Sequence, residues 1–187
     1  MTDQEIIDYV KYHSSGKVKI AFTDMDGVLR GKYISVDKFL TAIESTTNFC
    51  DVIFGWDMSD VCYDNSKFTG WHTGYPDSPA RIDMNTFRKI PWENDVPFFL
   101  GELIDVKGDP CNVCPRQLLK KVLGDAGKEG YTPFFAQEFE WFNFAETPHS
   151  ANAKRFTDLT PITPGMFGYS ILRSTLANPF FTDLFDL

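Results

Sequence analysis

Asp26-Gly27 lies between two strand-forming runs, Val18-Lys19-Ile20-Ala21-Phe22-Thr23-Asp24 and Val28-Leu29-Arg30-Gly31-Lys32-Tyr33-Ile34, and this placement restricts the fold more than any other feature. An Asp-Gly pair in such a setting supports the tight turn that joins antiparallel strands. Parallel neighbours need a crossover of a dozen or more residues, for which there is no room. The first two strands are therefore expected as a hairpin rather than as the opening of a doubly wound parallel sheet. Residues 15 to about 104 are expected to form a twisted mixed sheet with a helix across it.

Other elements follow from spacing and punctuation. Ile6, Ile7 and Val10 predict a short helix over Asp3 to His13, ended by Gly16. Val36 to Ile43 reads as a second helix, Val52 to Met58 as a strand and Pro97 to Ile104 as another. Between them, Asp64 to Pro79 is rich in Gly, Asp, Asn, Ser and Pro, yet carries Trp71, His72 and Tyr75. A loop of that length in a compact domain is usually functional or disordered, and its aromatic content argues against disorder. Pro115 opens a helix with Leu118, Leu119, Val122 and Leu123 on one side, closed by Gly127 and Gly130.

The run Phe134 to Phe144 reads as an aromatic strand containing Glu138-Phe139-Glu140-Trp141-Phe142. Residues two apart on a strand share a face, so the carboxylates of Glu138 and Glu140 would point into one space. In apolar surroundings two adjacent anions need a cation, and hard oxygen donors suit Mg²⁺ or Mn²⁺. The same alternation equally fits a strand with Phe139 and Phe142 inward and both carboxylates in water.

Composition excludes some classes. The 187 residues are 43% hydrophobic and 24% charged, an ordinary globular balance. No apolar run approaches a membrane span, and Met1-Thr2-Asp3-Gln4-Glu5 lacks the basic and apolar regions of a signal peptide, so a cytoplasmic protein is expected with no membrane partner. A net charge of −8 without a cluster of Lys and Arg argues against nucleic acid as a partner. Cys111 and Cys114 form a CxxC, but zinc needs two further ligands and the chain offers only Cys50, Cys62 and the scattered His13, His72 and His149. Reduced thiols without a special role are expected.

Two resemblances follow. Lys19 through Leu29, with Asp24-Met25-Asp26-Gly27-Val28, resembles the first motif of haloacid-dehalogenase-like phosphatases, in which the two aspartates serve as nucleophile and acid/base. Such an enzyme also needs βαβ alternation, which is absent here. The second resemblance spans nearly the whole chain. It runs through Asp24 to Lys32, Phe54-Gly55-Trp56-Asp57, Gly70-Trp71-His72-Thr73-Gly74-Tyr75-Pro76-Asp77, Ile90-Pro91-Trp92, Cys114-Pro115-Arg116-Gln117-Leu118-Leu119, Glu138 to Phe142 and Gly168-Tyr169-Ser170. In these segments the chain resembles the N-terminal part of the glutamine synthetase family, and especially its γ-glutamyl-amine and γ-glutamyl-polyamine ligase branch.

That resemblance implies an α+β fold, with a β-grasp domain over residues 1–108 and the start of a catalytic domain over residues 109–187. It implies ATP and glutamate as substrates, ammonia or another amine as acceptor, and Mg²⁺ or Mn²⁺ held in part by Glu138 and Glu140. Asp57 falls where the family has an Asp that receives the amine and helps take its proton. Asp77 lies on a loop approaching the same place, Trp71 would stack near nucleotide or cover the site, and Tyr169 matches a Tyr near the amine. Family active sites form between subunits of an oligomer. Where ammonium-using members read Asp-Gly-Ser-Ser, this chain has Asp57-Met58-Ser59-Asp60, a second carboxylate suited to a larger or more cationic amine. Family proteins are more than twice as long, so the chain is expected to be incomplete and inactive alone. A non-catalytic relative that binds full-length subunits is the alternative, and a phosphatase using Asp24 and Asp26 the third reading.

Overall fold

The computed structural model describes residues 1–165 and 167–187, which divide into two compact units, Met1–Pro133 and Phe134–Leu187. In the first, α1 (Asp3–Tyr12) begins at Thr2, whose hydroxyl accepts from the Glu5 amide while the Glu5 carboxylate accepts from the Thr2 amide. This reciprocal cap satisfies two of the donors that a helix start leaves open. A hairpin of β1 (Lys17–Thr23) and β2 (Leu29–Ser35) follows, antiparallel as the Asp-Gly turn requires, with Gly27 at φ +83°. Ser35 then caps α2 (Val36–Glu44).

The five-stranded sheet has the order β2-β1-β5-β4-β3, with β3 at Thr47–Cys50, β4 at Asp77–Ile90 and β5 at Val96–Leu103. The last strand inserts between β1, to which it is parallel, and β4, to which it is antiparallel. This mixed sheet with α2 packed on it is the β-grasp arrangement. Val18, Ile20 and Phe22 face the core from β1, where Phe39 of α2 stacks on Phe99 of β5 at 4.7 Å and Phe22 on Phe49 at 4.4 Å. Aromatic pairs at such separations stabilise beyond the area they bury. Lys19, on the opposite face of β1, pairs with Glu93.

After β5, Cys111 and Cys114 bring the chain into α3 (Pro115–Lys128). Arg116 bonds Asp83 at 2.8 Å and Glu102 at 3.3 Å, and Lys120 reaches the same two carboxylates. Burial alone would push the Asp83 carboxyl up, but the Lys120 ammonium overrides it and holds it below its ordinary value. The register of β4 slips between Asp83 and Arg88, which is where Asp83 turns to meet these cations.

Several expectations change. Val52 to Met58 is not a strand: Asp51–Phe54 is a 3₁₀ turn, and the pairing strand is the preceding β3. The loop ends at Pro76 and Asp77 opens β4, so Asp77 is a strand residue. The row Leu118, Leu119 and Val122 is exposed, and the buried residue of α3 is Gln117, because the ion pairs rather than an apolar stripe dock the helix.

The second unit contains α4 (Pro148–Ala153), α5 (Ile171–Leu176) and α6 (Asn178–Asp186). Its best-tied segment pairs Phe144 with Pro161, and Glu146 accepts from the Thr160 amide at 2.8 Å. Phe134 to Asn143 is not a strand. Periodicity supplies alternation but not a partner, and no strand pairs with this stretch among the described residues. Phe134, Phe135, Phe139 and Phe142 are all exposed.

Candidate functional site

Asp57 sits in a turn of its own making. Its Oδ1 accepts from the amides of Ser59 at 2.8 Å and Val61 at 3.0 Å, leaving the half-buried carboxylate fixed by short local bonds. Arg30 holds this turn from below. Its Nη2 donates to the Asp57 carbonyl at 3.2 Å, Nη1 to Asp60, and Nε to Asp24 Oδ2 at 2.8 Å, while the guanidinium lies 5.0 Å from the Trp56 ring. Asp24, fully buried, also accepts from the amides of Asp26 at 3.0 Å and Val28 at 2.8 Å. Its oxygens are thus committed to closing the hairpin and orienting Arg30. A nucleophilic Asp must be open to its substrate, so the burial of Asp24 and the hairpin after it exclude the phosphatase arrangement.

The surroundings of Asp57 are electronegative. Partial burial pushes the Tyr63 phenol up, and the carboxylates of Asp26, Asp57 and Asp24 push it further. Asp60, expected as a second amine-facing carboxylate, is instead paired with Arg30 and sits at φ +65°. A cation arriving here would meet Asp57 and Asp26, neither of which is paired with a cation among the described residues.

The Trp71 segment is tied to the same loop. Trp56 bridges Cys62, the nearby Cys62 thiol pushes the Tyr75 phenol up, and the Tyr75 and Trp71 rings pack edge to face at 5.4 Å. Trp71 is nevertheless 87% exposed. Beneath it, buried Asp51 accepts from the Thr69 hydroxyl, and burial followed by the negative charge of Asp77 holds its carboxyl above the ordinary range. Asp77 is exposed at the start of β4, beside Asp51. Asp57, half-buried, and Trp71 and Asp77, both exposed, all belong to the first unit.

Glu138, Glu140 and Tyr169 belong to the second unit. Both glutamates are exposed on the unpaired stretch, and Tyr169 stands clear of its neighbours at φ +60°. Two carboxylates one residue apart have the right chemistry for a hard divalent cation. Among the described residues, however, no three His, Cys, Asp or Glu side chains come together, so the pair alone does not compose a metal centre. Sequence reasoning missed Arg30, Asp51 and Thr69. Arg30 lies in a quoted motif, but nothing in its spacing shows that it reaches the Asp57 turn; the signal for Asp51 is only a charge next to an apolar run.

No family model matches the chain. It is 49% identical over 182 residues to type-1 glutamine synthetase 2 of Dictyostelium discoideum, covering 97% of this chain and 35% of that protein. It is 31% identical to a glutamate–isopropylamine ligase of a Pseudomonas species, over 90% of this chain and 37% of the ligase. A γ-glutamylethanolamide synthetase of Streptomyces coelicolor is 30% identical over 87% of this chain and 35% of its own length. The chain thus spans about a third of the length of these relatives. Among solved structures, Plasmodium falciparum glutamine synthetase superposes on 70% of this chain and 23% of its own with a TM-score of 0.51 at 19% identity. An ADP complex of GmaS superposes on 66% of this chain and 26% of its own with a TM-score of 0.50 at 22% identity. No described helix is long and apolar enough to cross a membrane.

Proposed function

Because the chain belongs to the glutamine synthetase family, a family of carbon–nitrogen ligases, we propose that it supplies the amine-receiving part of an ATP-dependent γ-glutamyl ligase in the cytoplasm. In that reaction the γ-carboxylate of glutamate is phosphorylated by ATP, and ammonia or an amine then displaces phosphate from the acyl phosphate. The observation that carries the reading is the Asp57 turn, an anchored carboxylate in an electronegative surface patch, within a chain 49% identical to a glutamine synthetase across almost its whole length.

Each residue has a part. Asp57 favours the protonated amine on arrival and accepts its proton as the nitrogen attacks, which is general-base work. Asp77 adds negative charge at the mouth of the same surface. Trp71, large, exposed and held by Tyr75, covers or stacks on what binds there. Tyr169 lines the amine position from the catalytic domain that begins after residue 108. Glu138 and Glu140 contribute two oxygen ligands toward Mg²⁺ or Mn²⁺, which when bound clamps the transferring phosphoryl oxygens. In the oligomer these surfaces face a neighbouring subunit, and the site is completed there.

The alternative, a non-catalytic relative that engages full-length subunits, is separated by one experiment. Phosphate release dependent on ATP, Mg²⁺, glutamate and an amine is measured for the 187-residue chain alone, then for the chain mixed with a full-length relative. The expected result is no turnover alone, altered amine-dependent turnover on mixing, and loss of that alteration in Asp57→Asn. Turnover altered equally by the Asn variant would favour the scaffold reading, and robust turnover by the chain alone would refute both.

A further inference from the structure

We propose that Cys111 and Cys114 form a redox-active dithiol, oxidised to an intramolecular disulfide by a small-molecule disulfide such as oxidised glutathione. Both cysteines are free, and both are nearly buried in the same hydrophobic cluster. The Cys114 amide donates to the Cys111 carbonyl at 3.0 Å, closing a four-residue turn. Such a turn brings its first and last Cα atoms within about 7 Å, the range that a disulfide spans. Cys114 is the residue from which α3 starts, and Cys111 lines a cleft with Pro110, Asn112 and Gln117. The cleft gives an incoming disulfide a way to Cys111, while Cys114 waits behind it as the resolving thiol.

The exchange proceeds in two displacements. The Cys111 sulfur attacks one sulfur of oxidised glutathione, forming a mixed disulfide and releasing one glutathione thiol. The Cys114 sulfur then attacks the Cys111 sulfur and releases the second. Two electrons and two protons pass from the protein dithiol to the oxidant, whose disulfide becomes two thiols. Burial holds the Cys111 thiol above its ordinary pKa, so the first step is slow at neutral pH. The bond lies two residues ahead of Arg116, and oxidation locks the segment that delivers Arg116 to Asp83 and Glu102.

The test uses the 187-residue chain carrying Cys50→Ser and Cys62→Ser, incubated with oxidised glutathione in native buffer. Trypsin releases both remaining cysteines on one peptide, Gly108 to Arg116. The expected product is that peptide lighter by about 2 Da, the loss of two hydrogens, and restored by dithiothreitol. Adding Cys114→Ser should arrest the reaction with one glutathione on Cys111. Both thiols remaining free, or stable glutathione adducts on the unsubstituted pair without the internal bond, would overturn the proposal.

Discussion

Removing the Asp24 carboxylate is the most direct probe of how the candidate site is held. Asp24 accepts three bonds, from the amides of Asp26 and Val28 and from Arg30 Nε, and is wholly shielded from water. Asp24→Ala leaves the guanidinium without its buried counter-ion and two turn amides without an acceptor. Breaking a buried pair from one side costs about 3–5 kcal/mol. Asp24→Asn keeps an acceptor but loses the charge, and the weakening of charge-assisted bonds puts its cost at about 1.5–3 kcal/mol. With a urea slope of about 2 kcal/mol per molar, the Ala variant should unfold at a midpoint lower by about 1.5–2.5 M. Urea titration followed by circular dichroism reads this, and Arg30→Ala alone and combined with Asp24→Ala closes a double-mutant cycle in which the two losses should not add. A loss under about 1 kcal/mol for Asp24→Ala would refute the reasoning, since surface substitutions already reach about 0.5 kcal/mol. So would phosphate-ester hydrolysis by the parent chain that disappears in Asp24→Asn.

Two further outcomes rest on packing and titration. A Cβ at Gly31 would collide with the Ile20 carbonyl across the hairpin, and one at Gly101 with the Phe22 ring. Gly101→Ala should lower stability by about 1–3 kcal/mol because the ring can turn, and Gly31→Ala should cost more because backbone cannot; thermal melts that rank them the other way would contradict the β1 contacts. Glu146 is pulled from 4.5 to about 2 by the Lys154 ammonium, then by the Ser150 hydroxyl and the Thr160 amide. A depressed folded pKa means the stabilisation is complete above about pH 4.5 and is lost as pH falls toward 2. Carboxyl NMR should give Glu146 a midpoint of about 2, and Glu146→Gln should remove this acid-dependent step.

The first unit was largely legible because its signals are local. Asp26-Gly27 fixes the hairpin and Pro115 fixes the start of α3, each by short-range chemistry that no distant contact overrides. Val52 to Met58 misled because an apolar run suits a buried 3₁₀ turn as well as a strand. Phe134 to Asn143 misled for a deeper reason: strand character in sequence is a request for neighbours, and the described residues supply none. The Asp57 turn was readable as a candidate through resemblance, whereas its anchoring by Arg30 joins residues 27 positions apart and leaves no periodic trace.

The place of β5 at the centre of the sheet has a consequence for how the chain is made. During synthesis β1 and β2 can pair first, and β3 and β4 later, but the two pairs share no ladder. Lys19 must find Phe98, and Ile82 must find Gly101, before either pair loses its bare edge. Closing so long a loop costs entropy ahead of any reward, which slows folding and leaves two open edges exposed in the meantime. Such edges are where chains join one another by mistake. A nascent chain stalled before Val96 is therefore two antiparallel pairs in search of the same missing strand, and a second copy of that strand from a neighbouring molecule would fit either of them.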